Sequence, residues 1–349
     1  ALNPNDGSVL AMASNPSFDP NLFASGISQT QYQTLLHAKG HPLYNKITRG
    51  LYSPGSTIKP LIAIGALSDN FISADSSIFD KGWFRLPHTK HVYHDWRYNG
   101  HGWVNVYKAI TVSCDTFFYE LAVQMGIDAL DRDFSLFGFG IPTGLDLPNE
   151  SSGLVPTPDW KKKTQHHPWY TGDTIITGIG QGSLLVTPIQ LASATAALAM
   201  RGERYQPHVI HAINRPGAPA TLSPSHANPP AYLDNTANWN LVTRAMVSVI
   251  QSQHGTATQF GKYAPYSVAA KTGTAQVYKK NRSHIVAQSS LPYKLRNNHL
   301  FIAFAPIQHP TIALAVIIEH DRDDEIIARH FLDRYFQLSR PHTAHQGPL

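Results

Sequence analysis

Apolar residues recur with helical spacing in several stretches of the chain. This periodicity predicts helices over residues 29–38, 57–69, 105–112, 115–125, 128–137, 187–201, 239–251 and 323–337. The helix that follows Thr187 carries three start signals, because threonine can cap it, Pro188 takes the first helical position and Gln190 stands three residues after the cap. Most of the predicted helices lie in the middle of the chain.

Strands are predicted where the apolar runs are shorter and continuous. Such runs occupy residues 266–277, 300–306 and 311–319, and the last two have the spacing of a hairpin. The chain also opens on an extended stretch at Ala1. A strand first, helices in the middle and strands last predict an α+β domain whose opening strand joins the C-terminal sheet.

Three stretches predict irregular structure. Residues 79–103 are rich in aromatic residues and histidine and predict a loop with short extended pieces. Residues 214–238 are rich in Pro, Ala, Asn and Ser and predict a surface connection. Residues 277–298 are predicted to form a basic loop between two strands. The loop could be mobile, contact a partner or be a surface loop without a function.

Composition narrows the classes of function. The chain has 349 residues, of which 42% are hydrophobic and 15% charged, so it can bury a sizeable core as one large domain or two. No stretch approaches the roughly 18 consecutive apolar residues of a membrane span. The formal net charge of +5 is modest and the basic residues are scattered, which argues against nucleic acid binding. The basic residues then either form a solvated surface or attract anionic lipid or cell-wall polymer. One cysteine excludes an intrachain disulfide.

A serine and a lysine stand three residues apart at the start of an apolar helical run. The stretch Ser-Pro-Gly-Ser-Thr-Ile-Lys-Pro occupies residues 53–60, so Ser56 and Lys59 leave one helical face about one turn apart. A serine hydroxyl becomes a good nucleophile when a neighbouring base takes its proton, and a helix N-terminus favours the developing negative charge. The pair is a candidate nucleophile and base, and the simpler alternative is a helix cap followed by a solvated lysine.

Two further motifs strengthen the catalytic interpretation. Ser113, Cys114 and Asp115 form a polar turn between predicted helices, and Lys-Thr-Gly-Thr at residues 271–274 lies on a predicted strand, where the glycine indicates a close approach to the backbone. Each motif alone has a plain interpretation, as a helix cap or a strand end. In this order, Ser-x-x-Lys, Ser-x-Asp and Lys-Thr-Gly resemble the active-site set of penicillin-binding proteins and serine β-lactamases.

The resemblance extends over nearly the whole chain. Residues 6–21 resemble the first strand and turn of class B penicillin-binding proteins, and Gly-Ile-Gly-Gln-Gly at residues 178–182 resembles their central segment. The run Ser-Cys-Asp-Thr-Phe-Phe-Tyr, which contains Asp115, most resembles the same motif in the penicillin-binding protein 2 subfamily, the elongation transpeptidases. The resemblance implies an α+β fold with a five-stranded antiparallel sheet flanked by helices, a helical subdomain, and the active site between them.

The resemblance also implies how the chain is divided and where it acts. Residues 1–349 would form one transpeptidase domain, with a sheet subdomain from residues 1–55 and 255–349 and a helical subdomain from residues 56–254. A membrane anchor and a non-catalytic pedestal would precede it. The domain would then lie in the periplasm, attached to the inner membrane.

The resemblance gives each catalytic candidate a role. Ser56 would attack the carbonyl carbon of the penultimate D-Ala of a peptidoglycan stem peptide, expel the terminal D-Ala, and form an acyl-enzyme that an amine of a neighbouring stem resolves. Lys59 is the candidate base, and burial together with the charge of Lys271 is expected to lower its pKa. Ser113 would relay the proton. Asp115 departs from the commoner Asn, and its carboxylate would favour a charged lysine.

The third motif would bind the substrate. Lys271 and Thr272 would hold the substrate carboxylate, and the backbone N–H groups of Ser56 and Thr274 would form the oxyanion hole. Gly273 would let the strand approach closely. The same site would be acylated by β-lactam antibiotics.

Possible metal ligands lie in the aromatic loop and beside the catalytic turn. From composition, the loop offers Asp80, His88, His91, His94, Asp95 and His101, whose spacing matches no standard zinc pattern. Members of the penicillin-binding protein 2 subfamily include proteins with a structural zinc, and the resemblance implies as ligands Asp80, Asp95, His101 and Cys114. Such a zinc would pin the loop to the Ser-Cys-Asp turn. Without a metal, the cysteine is interpreted as a small buried apolar residue.

Three functions share these motifs. The first is a D,D-transpeptidase that crosslinks peptidoglycan, with a membrane glycan polymerase and elongation-complex proteins as implied partners. The second is a serine β-lactamase, which needs a positioned water and base to deacylate. The third is a non-catalytic β-lactam sensor or scaffold. The opening strand, the segment at residues 178–182 and the Ser-Cys-Asp run favour the first.

Overall fold

A computed structural model of the chain describes residues 1–217, 219–232, 235–261, 264–277 and 290–338. The helices are α1 (Asn21–Ala24), α2 (Gln29–His37), α3 (Lys46–Arg49), α4 (Lys59–Ser68), α5 (Val106–Thr111), α6 (Asp115–Leu136), α7 (Pro158–Gln165), α8 (Thr171–Thr177), α9 (Pro188–Ala199), α10 (Thr236–Gln251), α11 (Thr258–Gly261) and α12 (Asp324–Leu338). The strands are β1 (Ser77–Asp80), β2 (Trp83–Phe84), β3 (Tyr93–His94), β4 (Gly102–Asn105), β5 (Arg204–Tyr205), β6 (Ala212–Ile213), β7 (Thr221–Leu222), β8 (Ala227–Asn228), β9 (Ala269–Ala275), β10 (Asn298–Ala305) and β11 (Ile312–Ile318).

The central sheet is built from the three long strands at the end of the described chain. β10 lies in the middle and pairs antiparallel with β9 on one side and with β11 on the other. α9 and α12 pack against β10 and β11, while α10 packs against β9. Residues 300–305 are all buried, which is the pattern of a strand covered on both faces.

The helix α4 runs through the hydrophobic core. Every residue from Lys59 to Leu67 is buried, and α4 contacts α5, α6 and α10. A 3₁₀ turn, Gly55–Ile58, leads directly into it. Because the helix is enclosed on all sides, packing fixes the position of the turn that carries Ser56.

The predicted α+β order is confirmed, and the opening segment does join the C-terminal sheet. Leu2 exchanges two backbone hydrogen bonds of 2.8 Å with Ala313 on β11. The five-strand count is not confirmed, because in the described residues the sheet has three strands. The opening segment adds isolated bridges, from Leu2 to Ala313 and to Val9 and from Ser8 to His208. The chain turns back at Gly7, where φ is 84°, so the pairing ends after one residue.

The other predicted elements agree with the structure in most places. The helices predicted at 115–125 and 128–137 form α6, whose continuity is interrupted at Gly126, with φ 73° and ψ 171°. α7 and α8 were not predicted. The loop of residues 79–103 contains the short pairs β1 with β4 and β2 with β3, as the prediction of short extended pieces requires.

Some predictions stay open. Most of the basic loop predicted at residues 277–298 falls on residues 278–289, which lie outside the described residues. The division into sheet and helical subdomains remains a prediction. None of the helices within the described ranges is long and apolar enough to cross a membrane.

A carboxyl group is buried against the middle of α4. Asp133 of α6 is fully buried, Tyr232 donates a hydrogen bond to its Oδ1, and its Oδ2 has no hydrogen-bond partner among the described residues. The Oδ2 atom lies where a side chain at Gly65 would stand. Burial raises the pKa of Asp133 to about 7, because a charge here would lose its hydration.

This carboxyl predicts a pH dependence of stability. The folded chain binds the proton of Asp133 more tightly than the unfolded chain, so the free energy of unfolding falls as pH rises from about 4 to about 7. Asp133→Asn removes the titration, and its stability relative to the native chain should increase by about 3 kcal/mol between pH 5 and pH 8. Urea unfolding of both proteins at pH 5 and pH 8 measures the difference. The same difference at both pH values would contradict the prediction.

Candidate active site

Ser56 lies in the 3₁₀ turn that begins α4, as its sequence position predicts. The turn is fixed on both sides, because Thr57 Oγ1 donates to the carbonyl of Pro54 at 2.7 Å and Gly55 N donates to the carbonyl of Gly180 at 2.9 Å. Ser56 itself is half-buried, while the helix behind it is buried. Its hydroxyl is therefore carried by a rigid turn at the edge of the core.

Lys59 is anchored beneath this turn. Its side chain is completely buried, and Nζ donates to Asp115 Oδ1 at 2.6 Å and to the backbone carbonyl of Ser113 at 2.9 Å. A third contact joins Nζ to Ser113 Oγ at 3.4 Å. A buried charged amine needs a counter-charge and hydrogen bonds, and Asp115 supplies the counter-charge.

Ser113 occupies the turn between α5 and α6 in a left-handed conformation, with φ 57°. This turn brings its hydroxyl to Lys271 of β9, whose Nζ donates to Ser113 Oγ at 2.9 Å and to the carbonyl of Thr272 at 2.9 Å. Ser113 Oγ therefore lies between two lysine amines, one from each of the other motifs. The structure brings all three motifs together at this hydroxyl.

The electrostatics of the two lysines differ. Lys271 is completely buried, and burial holds its pKa well below the usual range, with the positive charge of Lys59 as the second cause. Asp115 works in the opposite direction but lies in an ion pair with Lys59. Burial beside a second lysine, the combination expected at Lys59 from the sequence, is present at Lys271 as well.

The strand β9 packs directly on the nucleophile turn. A Cβ at Gly273 would come within 2.7 Å of Thr57 Cγ2, and a Cβ at Gly55 would come within 2.6 Å of the carbonyl oxygen of Thr274. Glycine is therefore required on both sides of this contact. Thr272 is half-buried and Thr274 is exposed, so the free edge of β9 faces outward beside Ser56.

Gln181 is a site residue to which the sequence analysis gave no role. Its Nε2 donates to the carbonyl of Thr274 at 2.6 Å, and its Oε1 accepts from the backbone N–H of Gln276 at 3.2 Å. The signal available in the sequence was a glutamine enclosed by Gly180 and Gly182, both of which have positive φ, at 73° and 74°. Glycines in this arrangement indicate a tight turn that presents the residue between them.

The four metal-ligand candidates that the resemblance implies lie in one buried cluster. The ligand atoms of Asp80, Asp95, His101 and Cys114 all lie within 4.8 Å of one another. His101 Nδ1 is 2.8 Å from Asp80 Oδ2 and 3.6 Å from Asp95 Oδ1, and Cys114 Sγ is 3.4 Å from Asp80 Oδ2. The histidines at 88, 91 and 94 lie outside the cluster.

The chemistry of these donors fits a divalent cation. Burial raises the pKa of Asp95, with the charge of Asp115 as a further cause, and burial raises the pKa of the Cys114 thiol. Burial also works against an ionised Asp80, but hydrogen bonds from Gly82 and His101 bring its pKa below the usual value. Three acids buried around one imidazole are unfavourable without a cation. Two carboxylates, a thiolate and an imidazole suit four-coordinate zinc.

The cluster is joined to the catalytic turn through the backbone. Asp95 Oδ2 accepts hydrogen bonds from the N–H groups of Asp115 at 2.7 Å and Thr116 at 3.2 Å, so it caps α6. Cys114 stands between Ser113 and Asp115 in the chain. The position of the loop residues therefore affects the turn that holds Lys59 and Lys271.

The serine of a helix-start turn therefore lies beside two lysines that meet at a second serine, as the three sequence motifs predict. Residues 1–334 match the family described as the penicillin binding protein transpeptidase domain, and the chain belongs to this family. The resemblance inferred from the sequence motifs is thereby confirmed.

Among the relatives is a protein named peptidoglycan D,D-transpeptidase MrdA from Salmonella typhimurium, 42% identical over 339 residues. The match covers 95% of this chain and 54% of the relative, so the chain spans about half the length of that protein.

Two solved structures share the fold. Pseudomonas aeruginosa PBP2 in complex with WCK 5153 is 39% identical with a TM-score of 0.85, and the match covers 99% of this chain and 76% of that one. Helicobacter pylori PBP2 in complex with MreC is 29% identical with a TM-score of 0.81, covering 97% of this chain and 59% of that one. The subfamily suggested by the Ser-Cys-Asp run therefore agrees with the solved relatives.

Proposed function

We propose that this chain is a serine D-Ala-D-Ala transpeptidase domain that crosslinks peptidoglycan stem peptides through an acyl-enzyme at Ser56. The observation that carries the proposal is the convergence of Lys59 and Lys271 on the hydroxyl of Ser113, beside the turn that holds Ser56. β-Lactams would acylate the same serine. The name of the Salmonella relative supports the substrate class.

The reaction would begin with a proton transfer between the two lysines. Lys59 is paired with Asp115, whereas burial favours the neutral amine of Lys271. A substrate carboxylate arriving at Lys271 would favour its protonated form. Ser113 Oγ, in contact with both amines, would pass a proton from Lys59 to Lys271. Lys59 is then neutral and able to act as a base.

Acylation would follow from this state. Lys59 accepts the proton of Ser56 as Oγ attacks the carbonyl carbon of the penultimate D-Ala. The N–H groups of Ser56 and Thr274 stabilise the oxyanion. The bond to the terminal D-Ala breaks, and its nitrogen receives a proton from Lys59 through Ser113. An amine of a neighbouring stem then attacks the acyl-enzyme, and its proton returns by the same route to restore Ser56.

The intact mass of the chain after incubation with penicillin G tests the proposal. A transpeptidase domain is expected to gain the mass of one penicillin G and to keep it for hours. Rapid loss of the adduct with many turnovers of penicillin would indicate a serine β-lactamase instead. A lasting adduct without release of D-Ala from a stem pentapeptide, in the longer protein as well, would indicate a sensor or scaffold.

We also propose a structural zinc ion held by the buried cluster of Asp80, Asp95, His101 and Cys114. When bound, zinc would neutralise the buried acids and crosslink the aromatic loop to the catalytic turn. Asp95 supports this role, because one of its oxygens faces His101 while the other caps α6 at Asp115. The residues that surround Lys59 would thus be held in place from behind.

Metal analysis of protein purified without chelator tests the zinc proposal. The native chain is expected to hold about one zinc ion, His101→Ala to lose most of it, and His91→Ala to keep it, because His91 is exposed and outside the cluster. Chelator should lower the melting temperature of the native chain and of His91→Ala, with little effect on His101→Ala. A native chain free of zinc would refute the proposal.

We propose that the domain works in the periplasm as part of a longer protein held at the inner membrane by an anchor and pedestal outside this chain. Its partners would be a membrane glycan polymerase and elongation-complex proteins. The longer Salmonella relative and the Helicobacter PBP2 complex with MreC support this proposal. The modest net charge of +5 argues against nucleic acid as a partner.

A further inference from the structure

At the edge of β9 beside Ser56, three outward backbone groups are bound by side chains of the same chain. In the described residues β9 pairs with β10 on one side only. On the other side, Lys271 Nζ binds the carbonyl of Thr272 at 2.9 Å, and Gln181 binds the carbonyl of Thr274 and the N–H of Gln276. One side-chain amide thus satisfies a C=O and an N–H of the strand edge. An extended peptide added to a sheet edge would use the same groups.

The backbone that carries Gln181 is fixed, but its side chain is not enclosed. Gln181 N donates to the carbonyl of Ile176 at 3.1 Å, and the carbonyl of Gly180 accepts from Gly55 N. A Cβ at Gly180 would lie 2.2 Å from the carbonyl oxygen of Gly55, so the two turns are in direct contact. The side chain is only half-buried and can rotate away without moving either turn.

We propose that Gln181 is a specificity-determining residue. Its side-chain amide occupies the hydrogen-bonding position on β9 that the backbone amide of the substrate would take. The inference rests on the proposed function. In a stem peptide, the residue whose carbonyl is attacked carries an amide N–H. This N–H would donate to the carbonyl of Thr274 and displace Gln181 Nε2 from it. A ligand with such an N–H replaces the lost hydrogen bond. A ligand without it leaves Gln181 in place.

Two β-lactams separate these cases. Penicillin G carries an amide N–H next to its ring, whereas imipenem carries a hydroxyethyl group there and no N–H. Gln181→Met keeps the length of the side chain and removes its amide. Gln124→Met is the matched control, because Gln124 Nε2 also donates to a backbone carbonyl, that of Phe71, outside the site residues.

The measurement is the second-order rate constant of acylation, from intact masses over time. Gln181→Met should accelerate acylation by penicillin G by about 2- to 10-fold, the range of one net hydrogen bond. Acylation by imipenem should change less than about 2-fold, because this ligand does not compete for the carbonyl of Thr274. Gln181→Glu, which loses the donor but keeps an acceptor for Gln276, should shift the ratio of the two rates in the same direction. Gln124→Met should leave the ratio unchanged.

Other outcomes would overturn the inference. Equal loss of both rates would show that Gln181 only braces β9 against the neighbouring turn, and an unchanged ratio would show that it does not compete with the ligand. An adduct in the native chain combined with either result refutes the inference and leaves the proposed function standing. No adduct in the native chain refutes the proposed function and the inference with it.

Discussion

Replacement of Ser56 by alanine is expected to abolish the penicillin adduct. In the proposed mechanism the covalent bond forms at the hydroxyl on the turn before α4. Among the described residues, no other serine of the site stands at the start of a buried helix beside the free edge of β9. Ser113 is itself buried between two lysine amines and is positioned to relay a proton. The rate of acylation should fall at least about 1,000-fold, to the detection limit of intact-mass measurement.

Ser53→Ala is the control, since this serine lies three residues before Ser56, outside both the Ser-x-x-Lys motif and the 3₁₀ turn. It should retain the adduct. Peptide mapping of the acylated native chain should place the added mass on Ser56. An adduct of undiminished rate in Ser56→Ala would show that another group is the nucleophile and would remove the basis of the proposed mechanism.

Replacement of Lys59 by methionine should slow acylation by about 100- to 10,000-fold, the usual contribution of a general base. Methionine keeps much of the buried volume but cannot accept the proton of Ser56. It also leaves Asp115 without its 2.6 Å partner, so a loss of stability is expected as well. Thermal melting measured beside the acylation rate separates the two effects.

Lys161→Met provides the matched control for this variant. Lys161 is also a buried lysine in an ion pair, 2.5 Å from Asp173, but it lies on α7 and outside the site residues. Its loss should lower stability and leave the acylation rate of the folded protein unchanged. If Lys59→Met acylates as fast as the control, Lys59 is not the base, and Lys271 becomes the stronger candidate because of its lowered pKa.

The local parts of the site could be predicted because they depend on spacing within one element. Ser56 and Lys59 are three residues apart at a helix start, and the glycine of β9 marks a close contact, as the structure shows at Thr57. The contact of Ser113 with Lys271 spans 158 positions of the chain. Hydrophobic periodicity carries no information about a contact between residues so far apart in the chain. Only the resemblance to a family suggested it.

The distribution of charge could not be predicted from residue types. Two lysines and one aspartate allow either amine to be the charged one. Both lysines are completely buried, so the 2.6 Å contact of Asp115 with Lys59 is what distinguishes them. The place of Gln181 was missed for a similar reason. Its amide meets β9 only because the turn that carries it packs on the turn of Gly55.

The requirement for glycine at positions 55, 180 and 273 limits which substitutions this site could accept under antibiotic selection. A single methyl group at any of the three would meet neighbouring atoms at 2.7 Å or less and would push the nucleophile turn, its neighbouring turn and β9 apart. Such a change would impair the proposed transpeptidation together with acylation by a β-lactam. Substitutions that slow acylation by a β-lactam but preserve the proposed reaction are therefore expected at the rim of the site, away from these three glycines.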